Sequence, residues 1–168
     1  MLIDAQVNMF DPSAPVVGSD VLIDRFSSLL QWARASHLPI VFVRNCGPAG
    51  APDERGTPGW ELHPTLQPAV GDLVLDKTTC NTFASTPLAS ELSARGVREI
   101  ILVGLQSEYC VLETSLGALN QNLDVTLVAD GHSTYDGGGR AARDVTAAVN
   151  GVLGARLNLK SADEIRRG

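Results

Sequence analysis

The sequence has 168 residues, of which 44% are apolar and 19% are charged. A chain of this length and composition buries roughly 70% of its extended surface on folding, which excludes a disordered tail, a collagen-like fibre and a small disulfide scaffold. The net charge is −6 and the basic residues are scattered, so no positive stripe is available to displace the counterions of a nucleic acid. We expect a single domain over residues 1–168 with no nucleic-acid partner.

No apolar run approaches the roughly 20 residues that a transmembrane helix requires, and the longest, 100–105, has the length of a strand. The chain opens with Met1-Leu2-Ile3-Asp4, without the basic and apolar regions of a secretory signal. Cys46, Cys80 and Cys110 lack the CxxC or Cys/His spacing of a metal site, and three is an odd number for a disulfide framework. These features predict a cytoplasmic protein with free thiols and no membrane contact.

Strand-like and helix-like segments alternate along the chain, which is typical of an α/β domain. The strand candidates are short and apolar throughout, so both faces of their sheet should be covered. The pattern predicts a doubly wound, Rossmann-like three-layer α/β/α fold with a mostly parallel sheet of about six strands. The predicted strands cover residues 2–3, 39–44, 73–76, 99–105 and 124–130.

Helix signals fall between these strands. Apolar residues recur at spacings of three and four over 20–36, where Ser19 or Asp20 can cap the first turn. Segment 45–71 has no periodicity and is rich in Gly and Pro, which is typical of a functional covering loop. Further helices are predicted from Thr86-Pro87 to Gly96, over 110–122 and over 140–153, and the last dozen residues are amphipathic.

Three chemically reactive residues follow predicted strands, at the sheet edge where open parallel sheets bind ligands. They are Asp4, Lys77 and Cys110. Each also has a plain structural interpretation: a helix cap, a solvated charge and a core thiol. Together they suit acyl transfer from a C–N bond. A helix N-terminus and an ammonium favour a thiolate, and a carboxylate can exchange the protons. Backbone amides at the turn into the helix could hold the oxyanion.

The residues around these positions resemble the isochorismatase-like cysteine hydrolases. The resemblance rests on residues 2–6, 59–64, 77–83 and above all 104–111, Gly-Leu-Gln-Ser-Glu-Tyr-Cys-Val, and it extends through 124–136. It implies that Asp4, Lys77 and Cys110 form a catalytic triad in which Cys110 carries a thioester intermediate. It also implies a non-proline cis peptide bond between Leu105 and Gln106, with the Gln106 and Cys110 amides directed at the oxyanion.

The same resemblance suggests that Phe10, Trp60, Phe83 and Tyr109 surround the substrate, although each could equally be a core aromatic residue. It further suggests a small-molecule substrate and a homodimer or higher homo-oligomer.

Two departures from the family pattern matter. Metal-dependent nicotinamidases of this superfamily carry Asp-x-His after the second strand, where this sequence has Arg44-Asn45-Cys46-Gly47. His63 alone cannot hold a transition metal, so we predict no metal and no cofactor, and a loop hydrogen bond for His63. Only three residues precede Asp4, so we expect either a shortened first strand or a chain that starts late.

Several alternatives stay open. His132 follows a predicted strand and could pair with Cys110 in a protease-like arrangement. The chain could cleave a vinyl ether, as isochorismate hydrolysis requires, or it could be a binding or scaffold domain that keeps the fold without turnover. Serine hydrolases and nucleotide-phosphate binders lose support because the sequence has neither a Gly-x-Ser-x-Gly elbow nor a Gly-x-x-x-x-Gly-Lys loop.

Overall fold

Six strands form one parallel sheet in a computed structural model that describes residues 1–167. The strands are β1 (Leu2–Ile3), β2 (Val41–Asn45), β3 (Leu73–Lys77), β4 (Glu99–Leu105), β5 (Asp124–Ser133) and β6 (Asn158–Lys160). Their spatial order is β3-β2-β1-β4-β5-β6, and every neighbouring pair is parallel. The predicted three-layer α/β/α fold is confirmed.

Helices connect the strands and cover both faces of the sheet. They are α1 (Ser19–Ala35), α2 (Thr82–Ser85), α3 (Leu88–Ala94), α4 (Leu112–Asn120), α5 (Ala142–Gly154) and α6 (Ala162–Arg167). Two short 3-10 turns lie at Val7–Phe10 and Pro58–Trp60, and one π turn, Ser107–Val111, leads into α4. Within residues 1–167, none of these helices combines the length and apolar character needed to cross a membrane.

Alternate strand residues belong to two separate hydrophobic clusters, one on each face of the sheet. On β2, Phe42 belongs to one cluster whereas Val41 and Val43 belong to the other. Helices α1 and α6 cover the first face, and α3, α4 and α5 cover the second. Burial on both faces explains why the central strands carry continuous apolar runs without polar alternation.

The structure corrects some predicted boundaries. The N-cap of α1 is Gly18 at φ 74°, and neither Ser19 nor Asp20 caps it, because both already lie in the first turn. β5 runs on to Ser133 through an irregularity in its pairing with β4, so His132 lies within the strand and does not follow it. The sequence pattern does not predict β6, because its three residues are all exposed and carry no apolar periodicity.

The strand order reverses between β1 and β4, which is where ligands bind in sheets of this kind. Asp4 follows β1 directly, and the π turn that contains Cys110 follows β4 after one residue. The two central strands approach each other closely at Gly104, which has φ 142° and pairs with Ile3. Topology therefore brings Asp4 and Cys110 to the same edge of the sheet.

Candidate active site

Lys77 is the centre of a buried polar cluster at this edge. Its Nζ lies 2.8 Å from Asp4 Oδ2, and both side chains are fully inaccessible to solvent. The same nitrogen donates to Cys110 Sγ at 3.2 Å and to Asn45 Oδ1 at 2.9 Å. The ammonium of Lys77 thus forms an ion pair with Asp4 and donates two hydrogen bonds, to Cys110 and to Asn45. The structure thus brings together all three residues that the sequence predicted as a triad.

Asn45 is a member of this cluster that the sequence reasoning missed. Its Nδ2 donates to Asp53 Oδ2 at 2.6 Å, which directs its Oδ1 toward Lys77. Its backbone N–H donates to Gln6 Oε1 at 2.7 Å, and Gln6 Nε2 donates to the carbonyl oxygens of Asn45 and Trp60. Asn45 ends β2 at the same edge as the triad, a placement that could have identified it from sequence.

Burial and charge act against each other on Asp4 and Lys77. Burial raises the pKa of Asp4 above its ordinary value, although the ammonium of Lys77 opposes this shift. Burial alone would lower the pKa of Lys77, but the Asp4 carboxylate and the Cys110 sulfur outweigh it and raise that pKa. Lys77 therefore stays charged, while Asp4 becomes a stronger proton acceptor than an exposed aspartate.

Opposing effects act on the pKa of Cys110 as well. Burial raises the pKa of its thiol, the negative charge of Asp4 raises it further, and Lys77 only partly offsets these effects. These effects favour the neutral thiol, and the Asp4 carboxylate of the same cluster is the group that can take its proton. The sequence reasoning counted the ammonium and the helix terminus but could not weigh burial against them.

The turn that carries Cys110 is a single π-helical turn, Ser107–Val111, and Cys110 is its fourth residue. The backbone N–H groups of Tyr109 and Val111 both donate to the carbonyl oxygen of Gln106. The peptide bond between Leu105 and Gln106 is cis, as the resemblance implied. Gln106 therefore joins β4 to the turn that carries the thiol.

Two of the four aromatic residues expected around the substrate are buried in packed positions. Trp60 lies under the guanidinium of Arg44, 3.6 Å from its ring centre, with Arg55 at 5.4 Å. Trp60 Nε1 donates to Cys46 Sγ at 3.2 Å, so Cys46 is a hydrogen-bond partner of this buried tryptophan. Phe10 belongs to the hydrophobic cluster that α1 covers.

The other two aromatic residues differ in exposure. Phe83 is partly buried and packs against the cluster on the second face. Tyr109 is 55% exposed and directly precedes Cys110. Of the four, Tyr109 is thus the one with accessible surface beside the thiol. Cys80 is an exposed free cysteine, and among the described residues it is not one of the hydrogen-bond or ion-pair partners of Lys77.

The histidines take no part in the Lys77 cluster. His63 accepts a hydrogen bond from the Thr65 amide at 3.3 Å, as predicted for a loop residue, and its ring packs edge-on against Phe10 at 5.1 Å. His132 bonds to Ser107 and Asn150, so the protease-like pairing with Cys110 is wrong. Among residues 1–167, no three His, Cys, Asp or Glu side chains are grouped to hold a metal ion.

A cavity of about 920 Å³ lies away from this cluster, at the opposite edge of the sheet. Its lining includes Met1, Ile40 and Ile100, which lie at the amino ends of the central strands. The size of this cavity does not make it the candidate active site, because Lys77, Asp4 and Cys110 are absent from its lining.

The fold and the cluster define a doubly wound α/β domain with a thiol, an ammonium and a carboxylate at the point where the strand order reverses. The Isochorismatase domain model matches residues 1–152. The chain therefore belongs to the isochorismatase domain family, and the resemblance stated from its motifs is confirmed.

Named relatives and a solved structure are similar to this chain. Streptothricin hydrolase of Streptomyces noursei is 35% identical over 156 residues, which are 93% of this chain and 56% of that protein. Ureidoacrylate amidohydrolase RutB of Methylorubrum extorquens is 26% identical over 164 residues, covering 80% of this chain and 64% of that protein. This chain thus spans less than two thirds of the length of either relative. A solved isochorismatase from Pseudomonas putida KT2440 has a TM-score of 0.92 at 26% identity and covers 97% of this chain and 87% of that one.

Proposed function

We propose that the protein is a cysteine hydrolase that cleaves a C–N bond of a small amide-, ureide- or carbamate-like substrate. The observation that carries this proposal is the position of Lys77 Nζ, 2.8 Å from Asp4 Oδ2 and 3.2 Å from Cys110 Sγ. Two relatives, a streptothricin hydrolase and a ureidoacrylate amidohydrolase, support this substrate class.

The first half of the reaction forms an acyl-enzyme. Asp4 accepts the proton of the Cys110 thiol as Sγ attacks the carbonyl carbon, and the adjacent Lys77 ammonium stabilises the developing sulfur anion. The carbonyl oxygen becomes an oxyanion that the backbone amides of Gln106 and Cys110 stabilise. The C–N bond then breaks, Asp4 returns its proton to the leaving nitrogen, and an amine departs.

The second half regenerates the enzyme. A water molecule loses a proton to Asp4 and attacks the carbonyl carbon bound to sulfur, and the C–S bond breaks with release of a carboxylic acid from an amide, or of a carbamic or carbonic acid from a ureide or carbamate. Asp4 then returns its proton to the Cys110 sulfur. One aspartate serves as base and acid in both halves, which suits a carboxyl group whose pKa is raised by burial.

A substrate screen tests this proposal. We would offer small amides, ureides, carbamates and isochorismate to the wild-type protein and search by mass spectrometry for an acyl adduct on Cys110. Cys110→Ala should reduce turnover to below ~10⁻³ of wild type. Cys80→Ala is the matched control, because Cys80 is exposed and lies outside the Lys77 cluster.

Three outcomes would contradict the proposal. Undiminished turnover in Cys110→Ala would exclude the covalent mechanism. Hydrolysis of isochorismate alone, without an adduct, would favour vinyl ether chemistry. A wild-type protein that turns over nothing in the panel and captures no acyl group would favour a binding or scaffold role. The homo-oligomeric state and the single domain over 1–168 stay predictions.

A further inference from the structure

A buried chain of hydrogen bonds links Ser107, His132 and Asn150 behind the turn that carries Cys110. Ser107 Oγ lies 2.8 Å from His132 Nδ1, and His132 Nε2 lies 2.9 Å from Asn150 Oδ1. Ser107 is inaccessible to solvent and His132 is only 3% exposed. Because no substrate can reach Ser107, this Ser-His-Asn arrangement is not a second hydrolytic site. Any effect it has on the reaction must act through the turn that contains Ser107 and Cys110.

The direction of each hydrogen bond follows from the Asn150 amide. Asn150 Nδ2 donates to the carbonyl oxygen of Ala129 at 2.9 Å, so its Oδ1 must accept from His132. His132 therefore carries its proton on Nε2, and its Nδ1 accepts from the Ser107 hydroxyl. Ser107 Oγ can still accept from Thr146 Oγ1 at 3.2 Å. Burial lowers the pKa of His132, which is consistent with a neutral ring.

Ser107 is the first residue of the π turn, and Cys110 follows three positions later. The carbonyl oxygen of Ser107 accepts from the backbone N–H of Leu112, where α4 begins. One end of this turn is thus tied through His132 to β5 and through Asn150 to α5. Because Ser107 and Cys110 share one short turn, a movement of Ser107 would also move the backbone of Cys110.

We propose that His132 is a positioning residue, which holds Ser107 through its Nδ1 and thereby fixes Cys110 Sγ against Lys77. This inference rests on the proposed function of Cys110 as the nucleophile. Misplacement of a reacting atom by about 1 Å can cost roughly 100-fold in rate. The loss should therefore appear mainly in kcat, because His132 does not contact the substrate.

Two substitutions separate this role from simple packing. In His132→Asn the side-chain Oδ1 replaces Nδ1 and can still accept from Ser107, although the bond to Asn150 is lost. In His132→Gln the side-chain Nε2 replaces the ring Nε2 and can still donate to Asn150, but Ser107 loses its acceptor. Both variants remove the ring, so we expect similar losses of thermal stability.

Steady-state kinetics give the decisive comparison. We expect kcat to fall about 100-fold in His132→Gln and no more than about tenfold in His132→Asn. KM should stay within about twofold of the wild-type value in both variants. Equal kcat in the two variants would overturn the proposal, since a purely structural histidine would be replaced equally well by either residue.

Two further measurements keep the test independent of turnover and of folding. If the wild-type protein hydrolyses nothing, the proposed function fails, but the positioning role can still be tested by alkylation. The rate at which iodoacetamide alkylates Cys110 should then differ between the two variants. Equal alkylation rates would overturn the positioning role. If both variants fail to fold, ¹⁵N NMR spectra of the wild-type protein show which ring nitrogen of His132 carries the proton. The variants His37→Gln and His63→Gln assign the His132 signals by removing those of the other two histidines. A proton on Nδ1 of His132 would then contradict the inference, and a proton on Nε2 would support it.

Discussion

A Cβ atom at Gly104 would lie 2.7 Å from the backbone nitrogen of Ile3 and still closer to its carbonyl oxygen. Gly104 also has φ 142°, a conformation that side chains rarely adopt. The absence of a side chain there lets β4 approach β1 just before Asp4 and just before the turn with Cys110. The spacing of the candidate active site thus depends on one glycine outside it.

We expect Gly104→Ala to destabilise the protein by more than about 2 kcal/mol, because β1 and β4 would have to separate and the backbone would be strained. Urea unfolding measures this change. Gly151→Ala is the matched control: Gly151 lies in α5, where an added Cβ would meet no atom within 4 Å, and alanine should stabilise the helix by up to about 1 kcal/mol. A Gly104→Ala protein as stable as wild type would contradict this account.

Asp4→Asn should separate thiol reactivity from turnover. The Asp4 charge raises the pKa of Cys110 and Lys77 lowers it, so removing the carboxylate should move the rise of Cys110 alkylation to lower pH. Hydrolysis should fall by about 10²–10⁴-fold, because the proton acceptor is lost. Peptide mass spectrometry after iodoacetamide treatment distinguishes Cys110 from Cys46 and Cys80. If alkylation became slower, Asp4 would not oppose thiolate formation as described.

Lys77→Met should have the opposite effect on the thiol. Without the ammonium, the pKa of Cys110 rises further because burial and Asp4 act unopposed, and alkylation at neutral pH should slow. Hydrolysis should also fall by orders of magnitude, because the sulfur anion loses its nearest positive charge. The same mass spectrometric assay applies, and faster alkylation in Lys77→Met would be incompatible with the proposed role of Lys77.

Asn45→Ala should lower kcat/KM by about 10- to 100-fold, because a hydrogen bond to a charged group contributes about 1.5–3 kcal/mol. The variant removes both the acceptor for Lys77 and the donor to Asp53. Gln67→Ala is the control, since exposed Gln67 donates to backbone carbonyls in the same loop without contacting Lys77. Equal activity in the two variants would exclude Asn45 from the site.

Part of this site could be predicted from the sequence. Asp4, Lys77 and Cys110 each stand at or shortly after the carboxyl end of a strand, and parallel strands place those ends at one edge. Their convergence is predictable because all three residue types can take part in acyl transfer and all three follow or end strands at the same edge of the sheet. Asn45 meets the same positional criterion, but in the sequence it stands out only as part of the run Arg44-Asn45-Cys46-Gly47, which lacks the Asp-x-His pattern of the nicotinamidases.

Other features depend on long-range structure. The segment Asp130-Gly131-His132 has no strand pattern, and it extends β5 only through its pairing with β4. The contact between His132 and Asn150 then requires α5 to pack over that extension. The protonation state of Cys110 is a balance between burial and two opposite charges, and neither burial nor distance can be read from a sequence pattern.

The bond between Asn45 and Asp53 has an evolutionary consequence. Asp53 lies in the long segment between β2 and β3, whereas Lys77 belongs to the framework of the sheet. The Asn45 amide joins the two side chains, so remodelling of that segment for a new substrate also disturbs the electrostatic setting of the nucleophile. The substrate specificity and the reactivity of Cys110 should therefore change together among homologous proteins. Grafting the segment between β2 and β3 from one homologue to another should transfer both properties.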